Sequence, residues 1–415
     1  MNPEAIAYPF LSLAIFFEAF MLVTFLSDPA RKARLRKTTV EGPLPRVALI
    51  IPCYNEEESI DSTMRATLAL DYPAGKLEVI LVNDGSKDNT LAKMREYAGD
   101  SRVRIIDQAN GGKHTALNAG IAATKADIVG CLDADTYPQP DALKRTLACF
   151  DRPNVAAAFA AISIHEPRGI LQHLQSADYV MGIFYRHVLC SINAMYVTPG
   201  PFSLYRREVV EKVGGFVFGQ QTEDMEMALR LHRAGYEIEN APGARVTTHA
   251  MPTASKLIRQ RMRWTSGFLR NVLFDYRDLF AKKYGALGLL ILPFGLVSPF
   301  MVIGLFVLNI YLLVASLVQM ISVRTSVPLA WQLSAAAHPF TFDWFYMPVT
   351  GYALFGIATA IMGITMMSIG KRISRAPTKI TRGLAGYLLL YGLIAPVWYT
   401  RTMYDVVTGK RRGWR

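Results

Sequence analysis

Two carboxylates one residue apart, Asp133 and Asp135, stand where the apolar run from Asp127 to Leu132 ends. Alternate residues of an extended chain point the same way, so both can aim their oxygens at one point, where a divalent cation carrying a diphosphate would sit. One metal and one diphosphate point to sugar-nucleotide chemistry. The plainer alternative is an ordinary loop after a strand, because Asp is a common turn residue and the DxD pattern is short. What separates the two readings is whether other polar groups arrive at the same place.

The elements around the pair predict that they do. Val47 to Ile51 is an apolar run that meets Pro52 and the polar loop Cys53-Tyr54-Asn55-Glu56-Glu57, and a helix-like stretch follows to Leu70. Leu77 to Val82 ends at Asn83-Asp84-Gly85-Ser86, before a helix from Asn89 to Ala98. Val103 to Ile106 leads to Asn110-Gly111-Gly112-Lys113-His114, which opens a helix to Ala123. The run carrying Asp133 and Asp135 is the fourth strand. Strands alternating with helices imply a mainly parallel sheet, whose ligands bind at the carboxyl ends of the strands. All four polar loops fall there. Glu57 and Glu58 read as the start of the following helix, where acidic groups suit the dipole. Lys113, after two glycines that let backbone approach a ligand, suits a diphosphate or base contact, with a solvated loop lysine as the alternative.

Composition divides the chain. Of 415 residues, 51% are hydrophobic, concentrated at 6 to 27 and again after 285, while 40 to 250 read as a soluble α/β domain. The formal net charge of +12 gathers beside the apolar stretches, at Arg31, Lys32, Arg34, Arg36 and Lys37, at Lys371, Arg372 and Arg375, and at Lys410, Arg411 and Arg412. That placement follows the positive-inside rule and suits an anionic leaflet, which argues for a lipid bilayer and against nucleic acid as partner. Cys53, Cys131, Cys149 and Cys190 show no CxxC spacing, so buried reduced thiols are expected. Residues 6 to 27 can cross a bilayer once, and positive charge after rather than before the run argues for an anchor and against a signal peptide. Glu18 within it is expected to face other helices. Residues 286 to 320 read as one long bent helix or an interfacial piece plus a span, and 347 to 369 and 383 to 407 as two more spans. A count of four spans places the basic C-terminus outside, against the positive-inside rule, unless one segment turns back or fails to cross.

The motifs IPCYNEEESI, VNDGSKDNT, NGGKHTALNAG and CLDADT, in this order, resemble the nucleotide-sugar half of the family 2 glycosyltransferases. TPGPFSLYRREVV, Thr222-Glu223-Asp224 and the QRMRW of residues 260 to 264 resemble the acceptor half. QxxRW marks the membrane-integrated members that build hyaluronan, chitin-type oligomers, poly-N-acetylglucosamine and cellulose. The resemblance covers about residues 46 to 280. It implies an α/β, GT-A-like, mainly parallel sheet domain inserted between transmembrane α-helices. The expected division is an N-terminal transmembrane helix in 1–30, a cytosolic GT-A domain in 40–250, amphipathic interface helices in 251–284 and a transmembrane region in 285–415.

The resemblance also implies roles. Tyr54, Glu56 and Asp84 would hold the nucleoside, Lys113 the diphosphate or base, and Asp135 a Mg²⁺ or Mn²⁺ ion, with Asp133 nearer the donor ribose. An aromatic face can stack on a base and a carboxylate can accept from its N–H groups, so these roles are chemically sound. Asp224 is the expected catalytic base, taking the proton of the attacking sugar hydroxyl. Thr222 or Glu223 would cap the helix that follows, and Glu223 borders the acceptor. A single displacement inverts the anomeric centre. Gln260, Arg263 and Trp264, at i, i+3 and i+4, share one helical face. Arg263 and Gln260 would clamp the diphosphate and Trp264 would stack on the acceptor sugar; an interfacial helix with the same residue types is the alternative. Gly200 and Pro201 would border the acceptor, with Phe202 and Tyr205 as further contacts. His249 is a candidate metal contact, with a structural histidine as the alternative. The implied activity is UDP-sugar-dependent transfer, N-acetylglucosamine by preference, to a growing β-linked glycan, at the cell membrane and with room for an accessory subunit or a homo-oligomer. Its rival is transfer of one sugar to a lipid acceptor, and an inactive scaffold of the same fold is a third reading.

Overall fold

The computed structural model of the protein describes residues 6–30, 40, 42–326, 328, 351–376 and 380–411. The basic run at 31–37, the start of the 347–369 stretch and Arg412 lie outside these residues. The helices are α1 (Ala7–Ser27), α2 (Ile60–Leu68), α3 (Thr90–Arg95), α4 (Lys113–Ala122), α5 (Ala142–Leu147), α6 (Gly169–Ser191), α7 (Arg207–Lys212), α8 (Glu223–Arg233), α9 (Ala254–Arg270), α10 (Leu292–Ser326), α11 (Gly351–Ser374), α12 (Ile380–Gly386) and α13 (Gly392–Val407). The strands are β1 (Val47–Cys53), β2 (Leu77–Asp84), β3 (Val103–Gln108), β4 (Ile128–Cys131), β5 (Thr136–Pro138), β6 (Val155–Ile164), β7 (Ser203–Arg206) and β8 (Glu237–Thr248).

Strand β1 shows why the first half folds as it does. Its apolar residues are buried on both faces, and they alternate between two cores. Ala48 and Ile50 pack with Ala116 and Leu117 of α4, while Val47, Leu49 and Ile51 pack with Ile60 and Met64 of α2. A strand covered by helices on both faces belongs in a parallel sheet, and β3, β2, β1 and β4 are indeed neighbours in that order, all parallel.

The sheet is mainly parallel as expected, four of its seven strand pairings being parallel, and the other half adds the antiparallel ones. β7 joins β4 antiparallel, β6 joins β7 antiparallel, β8 runs parallel to β6, and β5 closes the edge antiparallel to β8. The eight-stranded sheet is therefore mixed. The sequence concealed this half because β6, fully buried, is built largely of alanine, a residue depleted in strands. Helices start later than expected at two places: α2 begins at Ile60, leaving Glu57 and Glu58 in the preceding turn, and α3 begins at Thr90.

Among the described residues three helical segments are long and apolar enough to cross a membrane: Ala7–Ser27, Leu287–Ser322 and Ala353–Ser374. The second is one long helix entered through a π-helical turn, Leu287–Ile291, with Pro299 inside it. The stretch read at 383–407 is not among the three. It is broken into α12, a π-helical turn at Tyr387–Tyr391 and α13. Its last part packs on α9, where Trp398 and Ala395 share a cluster with Met262, and the Arg270 guanidinium donates to the carbonyls of Asp405 and Lys410. Three candidates fit the alternative in which the last segment does not fully cross. In α1, Phe17 stacks on Phe294 at 3.7 Å and on Tyr185 at 6.3 Å, so the Glu18 turn does face other helices.

Candidate active site

The loops at the carboxyl ends of the first four strands do meet, and Asp84 is what organises them. It ends β2, is buried, and accepts hydrogen bonds from the backbone N–H groups of Gly111 and Gly112, 2.9 Å each, and from Gln108 Nε2 at 2.8 Å. Those bonds hold the turn into α4, in which Gly112 has a φ of 93°, a conformation suited to glycine. The first residue of α4, Lys113, is thereby aimed across the sheet. Its Nζ lies 2.5 Å from Asp133 Oδ1 and 3.4 Å from Glu223 Oε1. Burial works against the Lys113 charge, but the carboxylates of Asp133, Glu223 and Asp224 outweigh it and hold the ammonium well above its usual range.

Gly200 closes this cluster from the side of the second half-sheet. A Cβ there would stand 2.6 Å from Lys113 Nζ and 3.2 Å from Asp133 Oδ2, so any side chain at this position would displace the Lys113–Asp133 pair. Asp135 accepts from Thr248 Oγ1 at 3.4 Å, and burial with the neighbouring Asp133 charge raises its pKa. Glu56, whose carboxylate accepts from Ser59 Oγ at 2.6 Å, is pushed to about 7 by burial, with Asp135 and Asp133 adding to it. Burial disfavours the charged forms of Glu56 and Asp135, which a hard cation would offset; among the described residues no three His, Cys, Asp or Glu side chains are grouped to hold a metal ion by themselves, but one or two carboxylates plus phosphate oxygens are what Mg²⁺ ordinarily takes. Tyr54 is half-buried in the loop beside Glu56. His249 shares a 2.7 Å hydrogen bond with the Tyr137 hydroxyl, as a structural histidine does, although its ring also lies near enough to Asp135 to favour that carboxylate's charge.

Asp224 and Trp264 meet at a cavity of about 380 Å³. Its walls include Gly200, Pro201 and Thr222 from the sheet domain, Arg261 and Trp264 from α9, and Gly295, Ser298 and Pro299 from the apolar helix α10. Asp224 lies at the N-terminus of α8. Burial, followed by the Glu223 charge, lifts its pKa to about 6 against the opposing pull of Lys113 and Arg263. Its backbone carbonyl accepts from the Thr198 hydroxyl at 2.8 Å, which in turn accepts from the Tyr205 hydroxyl at 2.9 Å. A carboxylate lifted toward neutrality yet still ionised there, at a cavity, has the properties of a general base.

Four expectations need correction or refinement. Phe202 and Tyr205 are fully buried and do not line this cavity; Tyr205 reaches the site's neighbourhood through its hydrogen bond to Thr198. The Thr222 side chain does not cap α8, because its hydroxyl donates to the Gly219 carbonyl at 2.9 Å and accepts from Asn271 Nδ2 at 3.1 Å. Glu223 packs against Lys113 and is not part of the cavity wall. The QxxRW residues share α9 as expected, yet only Trp264 reaches the cavity, while Arg263 Nη1 donates to the Gln221 carbonyl at 2.9 Å beside Asp224. The side chains that sequence reading missed are Arg186, Asp178 and Arg261. Arg261 lies over the Trp264 ring at 4.4 Å and pairs with Asp178 at 2.6 Å. Charged residues inside the otherwise apolar α6 were the available signal.

Comparison with known proteins agrees with this geometry. The family described as Glycosyl transferase family 2 matches residues 48–214. The poly-beta-1,6-N-acetyl-D-glucosamine synthase of Staphylococcus epidermidis is 32% identical over 259 residues, 61% of each chain. That of Staphylococcus aureus (strain COL) is 32% identical over 244 residues, 58% of each. The alignment therefore spans about three fifths of these relatives' length. Among solved structures, the mannosyltransferase PcManGT from Pyrobaculum calidifontis, in complex with GDP-Man and Mn²⁺, aligns with a TM-score of 0.55 at 22% identity, covering 88% of this chain and 98% of that one. That likeness is one of fold. Residues 48–214 thus resemble a glycosyl transferase family 2 domain, and the fold is a GT-A-like mixed α/β sheet flanked by apolar helices.

Proposed function

We propose that the protein is a membrane-embedded, inverting glycosyltransferase that moves N-acetylglucosamine from a UDP donor to a hydroxyl of a growing β-linked glycan. The observation that carries this reading is the shared cavity, in which Asp224 and Trp264 face the wall of an apolar helix, α10. The names of the staphylococcal relatives supply the choice of sugar.

The donor would lie across the strand ends, its uridine at Tyr54 and Glu56, with Asp84 acting through the glycine turn that it holds. Lys113 would then part from Asp133 to meet a phosphate, an exchange of one anion for another that keeps its charge compensated. Asp135, with Asp133 beside it, would hold Mg²⁺ or Mn²⁺, and that ion when bound offsets charge on the departing diphosphate. Arg263, charged and close to Asp224, adds positive potential on the same side, and Gln260 of the same helix brings a buried Oε1 without a partner among the described residues. The acceptor sugar would stack on Trp264 between Gly200, Pro201 and Asp224. Asp224 takes its hydroxyl proton as the bond to the anomeric carbon forms.

Three crossings, with α1 ending on the cytoplasmic side, place the sheet domain, Lys371, Arg372, Arg375 and the basic C-terminus on that same side. This arrangement satisfies the positive-inside rule that four crossings violated, which supports the reading of a multi-pass cell-membrane enzyme with a cytoplasmic site. The test is a screen of UDP-sugars for UDP release by the purified protein with Mn²⁺ or Mg²⁺, followed by gel or light-scattering analysis of product. Polymer from UDP-N-acetylglucosamine is expected. A one-sugar glycolipid would move the reading to a lipid acceptor, and no turnover of any UDP-sugar would end it.

A further inference from the structure

Arg186 has no part in the chemistry described so far. It sits on α6, in the wall of the cavity that holds Asp224 and Trp264, and its Nε and Nη2 are buried without a hydrogen-bond partner among the described residues. An unpaired buried guanidinium is costly, so its persistence calls for a ligand that satisfies it. Gly182, one turn earlier, leaves the space: a Cβ there would stand 3.2 Å from both terminal nitrogens. The nearest acid, Asp178, is already committed to Arg261 at 2.6 Å.

The rest of the wall says which ligand. Its charged residues are Asp178, Asp224, Arg186 and Arg261, two of each sign, so an anionic head group gains no net attraction. Tyr179, Tyr196 and Tyr399 add aromatic surface with polar tips to that of Trp264. Aromatic planes with both donors and acceptors around them match a neutral, hydroxyl-rich saccharide. We propose that Arg186 is an acceptor-binding residue, whose free N–H groups donate to hydroxyl or amide oxygens of the glycan next to the sugar on Trp264. This inference rests on the transferase reading above and adds the group that sets acceptor affinity.

The experiment uses full-length protein in detergent with Mn²⁺, UDP-N-acetylglucosamine and short soluble β-linked N-acetylglucosamine oligomers, comparing wild type with Arg186→Gln and Arg186→Lys. Loss of a hydrogen bond from a charged donor should raise the acceptor KM of Arg186→Gln about tenfold or more. Arg186→Lys should fall between, because it keeps the charge and loses the planar fork. Donor KM and UDP release without acceptor should stay within about twofold, since neither uses the guanidinium. Should Arg186→Gln fail to bind UDP for want of folding, Arg186→Lys decides alone. Unchanged acceptor KM in the folded variants overturns the proposal, as does a donor KM that rises equally. Stimulation of the wild type by an anionic lipid phosphate but not by oligomers, lost in Arg186→Gln, overturns the saccharide in favour of a charged head group. A wild type that turns over no UDP-sugar removes the transferase reading and this one with it, whereas an active wild type with unaffected variants removes this one only.

Discussion

Asp224 answers two demands with one environment. It must be deprotonated to accept a proton, yet basic enough to take one, and burial beside Glu223 raises it to about 6 while Lys113 and Arg263 keep it from rising further. Asp224→Asn keeps the shape and removes the base. Transfer should fall by roughly 10²- to 10⁴-fold with UDP binding retained, and a variant that loses UDP affinity in parallel would show that the residue serves the donor instead. The sign of the pH dependence follows from the same shift. A raised carboxylate is protonated at pH values where a free Asp is already ionised, so the base form exists above about 6 and is lost below it. The rate of transfer at saturating donor should therefore drop as pH falls through about 6. A rate that holds level down to pH 4 would assign the proton to another group. Lys113 shows the complementary case, a cation held charged by the acids around it and so available for phosphate across that whole range.

At the scale of elements, what positions Asp224 is the approach of α9 to the loop in front of α8. Gly267 makes that approach, because a Cβ on it would fall 2.3 Å from Thr222 Oγ1, and Thr222 is itself buried with its hydroxyl committed to Gly219 and Asn271. Gly267→Val should drive the helix and the loop apart. We expect a stability loss of about 1–3 kcal/mol in thermal unfolding, the usual cost of overpacking, with kcat reduced more than donor affinity, since Trp264 and Asp224 sit on the two separated pieces. Equal losses in both parameters would indicate general unfolding. The element scale also shows how much of the site could be read beforehand. The loops after β1, β2 and β3, and the pair after β4, were legible because a parallel βαβ repeat delivers every loop to one edge and the polar residues stand out against apolar runs. The sheet beyond β4 was not, since the pairing of Ser203–Arg206 with Ile128–Cys131 depends on long-range register that local periodicity does not encode.

For the whole molecule, the partition between water and lipid governs behaviour. Helix α10 exposes Val307, Leu313 and Val318 at 60%, 55% and 61%, a surface that a soluble protein would bury. The protein should therefore stay in the membrane pellet through an alkaline carbonate wash and require detergent for release; recovery in the wash would refute bilayer insertion. The cavity has one wall from the sheet domain and one from the apolar helix α10, so bilayer insertion of that helix would put it where a product could pass into the membrane.

The sequence by itself determined which residues could do chemistry at the strand ends, that apolar stretches flank a nucleotide-binding type of sheet, and that Asp224 and Trp264 belong to one site. Spacing and alternation suffice for the first two, since they record which side of its own element a residue occupies, whereas the third was implied by the motif resemblance. Only the tertiary structure decided that the sheet is mixed, that Asp84 builds the Lys113 turn, that Phe202 and Tyr205 are core, that three segments among the described residues suit a crossing, and that Arg186 lines the Asp224 cavity with Nε and Nη2 lacking a partner among the described residues. Each of these depends on what packs across from a residue, and a neighbour distant in sequence leaves no periodic trace in the chain.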